Sequence, residues 1–311
     1  MKEGVFGARE GVFGAPPPDL APVGEGALQL SPLVPGAAAL EAFAPGDFDR
    51  LTLYAPPGAL ERRRLLALAL RALAPGAPLV ALAPKDKGGA RLRAELESFG
   101  CAVEERPKRH HRLCRAHAGP HGLDAAAIAA AIEAGGPQFC DATGFWTEPG
   151  LFSFDRIDPG SARLAEGLPA LSGAGADLGC GYGFLAREIL RGPGVTSLAL
   201  IDLDRRAVAA ARRNVEDGRA RFFWADLRHD GCGLKDLDFL VTNPPFHESG
   251  EEDRSLGVAF IARAAALLRR GGTLRLVANR HLPYEAALKT HFRRSAALSE
   301  GAGYKIFEAV R

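Results

Sequence analysis

Two stretches of this chain carry residue types and spacings that could do chemistry. The first is "DLGCGYG", which sets Asp177 ahead of Gly179, Gly181 and Gly183. Glycines at alternate positions let a backbone turn sharply and come close to a ligand. Asp202 ends the next apolar run, "VTSLALID", where a carboxylate can accept from both hydroxyls of a ribose. Asp226 closes the run after that, within reach of an adenine edge. The glycines alone fit any tight strand-to-helix turn, and with Asp202 they still leave a dinucleotide open. The placement of Asp177 weighs against a pyrophosphate, which it would repel, and suits a cationic amino-acid end.

The second stretch is "DFLVTNPPFH", Asp238–His247. Two prolines end a β-ladder abruptly, because neither has an N–H to donate. A plain strand stop is one reading of Asn243, Pro244, Pro245 and Phe246. The other is a rigid cradle for a planar amino group, in which carbonyls accept hydrogen bonds and Phe246 offers a face for stacking.

The elements that must hold these stretches follow from periodicity. From Gly173 onward short β-rich runs alternate with helical patterns such as "RRAVAAARRNV". They end in a hairpin formed by "SAALSE" and "YKIFEAV". This predicts a mostly parallel sheet with helices on both faces and an antiparallel end. A similar alternation begins at Leu51 with "LTLYAP", "ALERRRLLALALRAL" and "PLVALAP", but no glycine fingerprint follows its strands. Residues 118–138 read as one Ala-rich connecting helix. The expected organisation is a mobile segment over 1–25, a first α/β domain over 26–138 and a second over 139–311. The first residues repeat, as "EGVFGAR" then "EGVFGAP"; two copies cannot build a repeat fold.

Bulk properties exclude other classes. The chain has 311 residues, 47% hydrophobic and 24% charged, with a net charge of +2. No strong global field draws it to a polyanion, so such a partner has to meet local patches. No apolar run approaches membrane-spanning length. Five scattered cysteines without a C-x-x-C pair fit a reducing compartment, so a cytoplasmic protein is expected. The cluster of His110, His111, Cys114, His117 and His121 invites zinc, but strand alternation would split it between two faces, and no metal is expected. Arg106, Lys108, Arg109, Arg112 and Arg115 in the same stretch suit contact with an RNA backbone, or a solvated edge strand.

The order Asp-x-Gly-x-Gly-x-Gly, acid, acid, Asn-Pro-Pro-Phe resembles the class I S-adenosylmethionine-dependent methyltransferases that act on planar amino nitrogens. "GLFSFDRIDPGSARLAEGLP", "NPPFH", "VANRHLPYEAAL" and "GYKIFEAV" narrow the resemblance to the ribosomal RNA guanine-N2 methyltransferases. Among these, the C type that acts on small-subunit rRNA fits best. The resemblance is strong over 140–311 and weaker over 50–117. It implies two Rossmann-like methyltransferase domains in tandem, the first degenerate and without cofactor, the second a seven-stranded, mostly parallel sheet. It implies S-adenosylmethionine as cofactor, held by Asp177, Gly179, Gly181, Gly183, Asp202, Asp226 and Asn243. Guanine N2 in 16S rRNA is the implied acceptor. Asn243 and Pro244 would take its amino hydrogens, Pro245 would stiffen the loop and Phe246 would stack on the base. Phe152, Ser153 and His247 are further expected substrate contacts, and a monomer working on the small ribosomal subunit is the expected form. The alternatives are a large-subunit rRNA guanine-N2 methyltransferase and a protein-glutamine or DNA-adenine amino methyltransferase. A non-catalytic nucleotide-binding module and an NAD oxidoreductase stand further off.

Overall fold

The computed structural model describes residues 9–229, 232–244, 247, 248, 251, 252 and 254–311. The chain divides into two units, Met1–Pro137 and Gln138–Arg311.

The first unit contains strands β1 (Glu10–Phe13), β2 (Leu28–Gln29), β3 (Arg50–Tyr54), β4 (Leu79–Pro84), β5 (Cys101–Lys108) and β6 (His111–Ala118). Its helices are α1 (Ala59–Ala72), α2 (Leu92–Glu97) and α3 (Ala125–Ala134). The sheet order is β2-β1-β3-β4-β6-β5. The first three pairings are parallel and the last two antiparallel.

Two expectations are corrected here. Residues 10–13 are not part of a mobile end: the second copy of the repeated heptad supplies β1, which pairs with both β2 and β3. Val12 is buried, and a Cβ on Gly11 would meet Leu51 at 2.5 Å, so the strand is seated in the core. A four-residue strand flanked by glycine has little signal of its own and is made by its neighbours. The Ala-rich connection is also shorter than the expected 118–138. Ala118 closes β6, Gly119 and Gly122 break the chain, and the helix starts where Asp124 accepts from Ala127 N at 2.9 Å.

The second unit opens with the hairpin β7 (Gln138–Cys140) and β8 (Phe145–Thr147), followed by α4 (Pro159–Glu166). The core then alternates β9 (Gly173–Leu178), α5 (Phe184–Leu190), β10 (Val195–Asp202), α6 (Arg205–Asn214), β11 (Ala220–Trp224) and β12 (Leu237–Thr242). After the short β13 (His247–Glu248) and β14 (Glu251–Glu252) come α7 (Arg254–Leu267), β15 (Leu268–Asn279), α8 (Tyr284–His291), β16 (Arg294–Gly301) and β17 (Tyr304–Val310). The seven-stranded sheet runs β11-β10-β9-β12-β15-β17-β16, parallel through β15 and antiparallel at β17 and β16.

Side chains alternate along each strand, so both faces of this sheet are covered. Ala176, Leu178, Ile201 and Leu240 pack on one side with Ile261, Ala264 and Leu288. Leu200, Phe239 and Val241 pack on the other with Leu185, Ile189 and Leu164. Burial on both faces is why the parallel strands read as continuous apolar runs.

Setting β11 aside, β10-β9-β12-β15-β17-β16 repeats β2-β1-β3-β4-β6-β5 strand for strand and direction for direction. The two units are therefore copies of one topology. In that correspondence β1 answers to β9, the Gly-loop strand. The loop Ala55-Pro56-Pro57-Gly58 after β3 answers to Asn243-Pro244-Pro245-Phe246 after β12.

Candidate active site

The Gly loop leaves β9 with Gly179, Gly181 and Gly183 at φ of 74°, 53° and 92°. These are left-handed conformations that side-chained residues rarely adopt, so the three glycines set the path of the turn. Asp177 lies just inside it, fully buried, and neither carboxylate oxygen has a hydrogen-bond partner. Burial first, then the nearby Asp202 carboxylate, pushes its pKa up to about 8, and the Ala186 N–H, which falls short of a hydrogen bond, pulls weakly the other way. Without a partner for its charged form the acid keeps its proton, and a cation arriving from outside the protein would favour the carboxylate.

Asp202 stands at the end of β10. Its Oδ2 accepts from Gly181 N at 2.8 Å and its Oδ1 from Asp204 N at 2.9 Å. It thereby pins the Gly loop to the neighbouring strand. A carboxylate has about four acceptor sites, so capacity remains for hydroxyl donors. Burial pushes it up to about 6, against the Asp204 amide. Asp226 is differently placed. The Arg228 guanidinium grips both of its oxygens at 2.8–3.1 Å and holds its carboxyl below the usual range. An adenine amino group would have to share that carboxylate with Arg228.

The amide loop leaves β12 beside the Gly loop. Thr242 is in register with Leu178, and its hydroxyl donates to the Leu178 carbonyl at 2.7 Å. Asn243 follows at once. Its Nδ2 donates to Asp158 Oδ2 and to Ser161 Oγ, each at 2.9 Å. Pro244 is buried. Pro245 and Phe246 lie outside the described residues. His247 pairs in register with Glu252 in the β13–β14 ribbon.

A family model for the methyltransferase small domain matches residues 142–308. The chain is 34% identical over 276 residues to the ribosomal RNA small subunit methyltransferase C of Stutzerimonas stutzeri, covering 86% of this chain and 80% of that protein. It is 33% identical over 293 residues to the protein of that name from Pseudomonas aeruginosa, covering 91% and 86%. Among solved structures, the T. thermophilus 16S rRNA N2 methyltransferase in complex with AdoMet and guanosine matches with a TM-score of 0.72 and 27% identity. That match spans 88% of this chain and 76% of the other. The chain belongs to the ribosomal RNA small subunit methyltransferase C family. It is an S-adenosylmethionine-dependent methyltransferase with two class I folds in tandem.

In this C-type chain the segment before α4 is tied to the Gly loop, because Tyr182 Oη donates to the Arg156 carbonyl at 3.0 Å. Phe152 in that segment is 57% exposed, so core packing does not account for it. Ser153 has a φ of 49°. Tyr182, Asp158 and Ser161 were not expected as site residues. The Asp-Pro start of α4 is legible as a helix cap, but nothing local announces that the same carboxylate reaches Asn243.

The basic segment of the first unit is corrected in one respect. Along the chain no acid separates Arg106 from Leu123, yet the fold supplies acids from other strands and loops. Arg112 pairs with Glu105 at 2.9 Å, Arg106 approaches Glu104 at 3.9 Å, and Arg115 stands opposite Glu104 in register. Arg109 pairs with Asp19, and Lys108 donates to the Asp19 carbonyl. The turn itself is a two-residue hairpin with Arg109 and His110 at φ of 45° and 60°. Cys114 is fully buried, and among the described residues no group of three His, Cys, Asp or Glu side chains could hold a metal.

In the first unit the loop that answers to Asn-Pro-Pro-Phe is occupied from within. Ala55 stands where the second unit has Asn243. The buried Arg62 guanidinium donates to the Pro57 carbonyl at 2.7 Å and to the Pro56 carbonyl at 3.4 Å. Its other nitrogens form a two-pronged pair with Glu95 at 2.8 and 2.7 Å. Both proline carbonyls of this loop are engaged by the unit's own arginine.

Proposed function

We propose that this chain methylates the exocyclic N2 of a guanine in 16S rRNA, using the second unit for chemistry and the first for support and RNA contact. The observation that carries the reading is the side-by-side exit of two loops from paired strands. A Gly loop with an unpartnered, fully buried carboxylate leaves β9, and an asparagine amide held by its Nδ2 leaves β12.

The bound cofactor supplies a methyl group already activated on a sulfonium. Asp177 fits the cationic amino group at its amino-acid end. Asp202 has acceptor capacity left for the ribose hydroxyls, and Asp226 stands one strand further out for the adenine edge. Gly179, Gly181 and Gly183 keep that approach free of side chains.

Guanine N2 is a weak nucleophile, because its lone pair is delocalised into the ring. Asn243 Oδ1 and the Pro244 carbonyl accept its two hydrogens, which turns the lone pair toward the methyl donor and favours a pyramidal nitrogen. The methylated nitrogen is strongly acidic, so no strong base is required for its proton; His247 is a secondary candidate. By the family resemblance Pro245 would stiffen the loop and Phe246 would stack on the base, and the exposed Phe152, with Ser153, offers a further contact for it. A paired guanine has to be unstacked first, at a cost of a few kcal/mol. Arg106, Lys108, Arg109, Arg112 and Arg115 contribute backbone contact, Arg106 and Arg109 by exchanging their exposed acid partners for phosphates. Exposed ion pairs of this kind are worth only about 0–1 kcal/mol each. No described helix is long and apolar enough to cross a membrane, and the reading places the protein in the cytoplasm as a monomer.

The test is transfer of labelled methyl groups to separated small- and large-subunit rRNA, each free and assembled. Label in small-subunit rRNA alone is expected. Label confined to large-subunit rRNA would move the chain to the alternative substrate.

A further inference from the structure

An asparagine amide presents a donor at one end and an acceptor at the other, and its terminal torsion is broad and nearly two-fold. For Asn243 to serve as an acceptor toward an amino group, something must decide which end faces outward. Asp158 does this. It caps α4, with Oδ2 accepting from Ser161 N at 2.7 Å, and the same oxygen accepts Asn243 Nδ2 at 2.9 Å. A carboxylate has no proton to donate, so only the NH2 end of Asn243 can face it. Ser161 Oγ takes the second amide hydrogen at 2.9 Å. Both NH2 hydrogens are then used, and Oδ1 is the end left over. Asp158 and Ser161 are each only 9% exposed, so water does not readily replace either one.

We infer that Asp158 and Ser161 are positioning residues for methyl transfer, orienting Asn243 so that Oδ1 faces the substrate amino group. The inference rests on the role of Asn243 proposed above. The carboxylate does more than choose the orientation. Hydrogen bonds in a chain polarise one another, so donation to an anion at one end of the amide makes Oδ1 a stronger acceptor at the other. That gain counts most as positive charge builds on the nitrogen.

Asp158 also caps a helix, so the test must separate the two roles. Asp158→Ser keeps a good capping residue but is too short to reach Asn243. Asp158→Asn keeps the cap and an acceptor facing Nδ2, and loses only the charge. Single-turnover methyl transfer, with cofactor and small-subunit rRNA saturating, should fall by about 10-fold or more in Asp158→Ser. The KM for cofactor should stay near the native value, and Asp158→Asn should restore most of the rate. In an Asn243→Ala background, Asp158→Ser should cause no further loss, because the two residues act as one unit. Should Asp158→Ser fail to fold, Ser161→Ala reads the same coupling with the cap intact. Asp158→Ser and Ser161→Ala both within twofold of native, beside a crippled Asn243→Ala, would overturn the inference and leave the role of Asn243 standing. So would losses that multiply in the double variant. Near-normal turnover by Asn243→Ala would sink the role of Asn243 and the inference with it.

Discussion

Asn243→Ala should lose on the order of 10²–10³ in the rate of methyl transfer, the range seen when one preorganised hydrogen-bond group is removed from a dry site. The loss should fall on kcat, with cofactor affinity and thermal stability little changed. In the proposed role, the bond from the guanine amino group to Oδ1 would strengthen as the nitrogen becomes pyramidal, and so would contribute more to the transition state than to binding. Asn243→Asp is a harsher change here than the loop alone would suggest. It would set a second carboxylate against Asp158, which now accepts at 2.9 Å from the nitrogen that this substitution removes. Two carboxylates at that distance repel, so Asn243→Asp should retain only a small part of the native rate. Single-turnover kinetics reads both variants. Near-native turnover by Asn243→Ala would reduce the loop to a strand stop.

Asp177→Asn should weaken S-adenosylmethionine by on the order of 10², from the loss of about 3 kcal/mol when one charge of a buried pair is removed. The raised pKa gives this prediction a second arm. The folded, ligand-free protein holds a proton on Asp177 up to about pH 8, whereas its ordinary value is 3.8. Between those values the folded state binds more protons than the unfolded state, so this group's contribution to stability declines as pH rises through the window. A cationic ligand favours the carboxylate, so binding near pH 7 should release a proton, and affinity should improve as pH approaches 8. Calorimetry in buffers of different ionisation enthalpy measures that release, and Asp177→Asn should abolish it. Unchanged affinity and proton release in the variant would remove Asp177 from the cofactor site.

Much of the second unit is legible in the sequence because its signals are local. The alternation of apolar runs with "RRAVAAARRNV"-type patterns, the glycines at 179, 181 and 183 and the acid at 202 each follow from one strand, one turn or one helix face. The contacts that complete the site are not local. Asn243 meets Asp158 and Ser161 across 85 and 82 residues, and no spacing rule reaches that far. The same holds for the acids that neutralise Arg109 and Arg112, which come from Asp19 and from the facing strand. In the first unit, β1 is too short to declare itself. It becomes visible only in the sheet, where it pairs with β2 and β3.

If the first unit is without activity, as proposed, the pairing of Arg62 with Glu95 would give a physical reason why a copy of the topology keeps the fold without the chemistry. Ala55 lacks the amide, the two proline carbonyls already hold a guanidinium, and that guanidinium is itself bound to a buried carboxylate. Removing one partner of such a pair costs about 3–5 kcal/mol, so the arrangement is held by stability.

The central claim is that the loop after β12 takes the amino group of a guanine. It is tested most directly by digesting RNA methylated by the native protein to nucleosides and locating the methyl group by mass spectrometry. The expected product is N2-methylguanosine, formed in small-subunit RNA and absent when Asn243→Ala replaces the native protein. Methyl groups on a guanine ring nitrogen, or on the amino group of adenine, would contradict it.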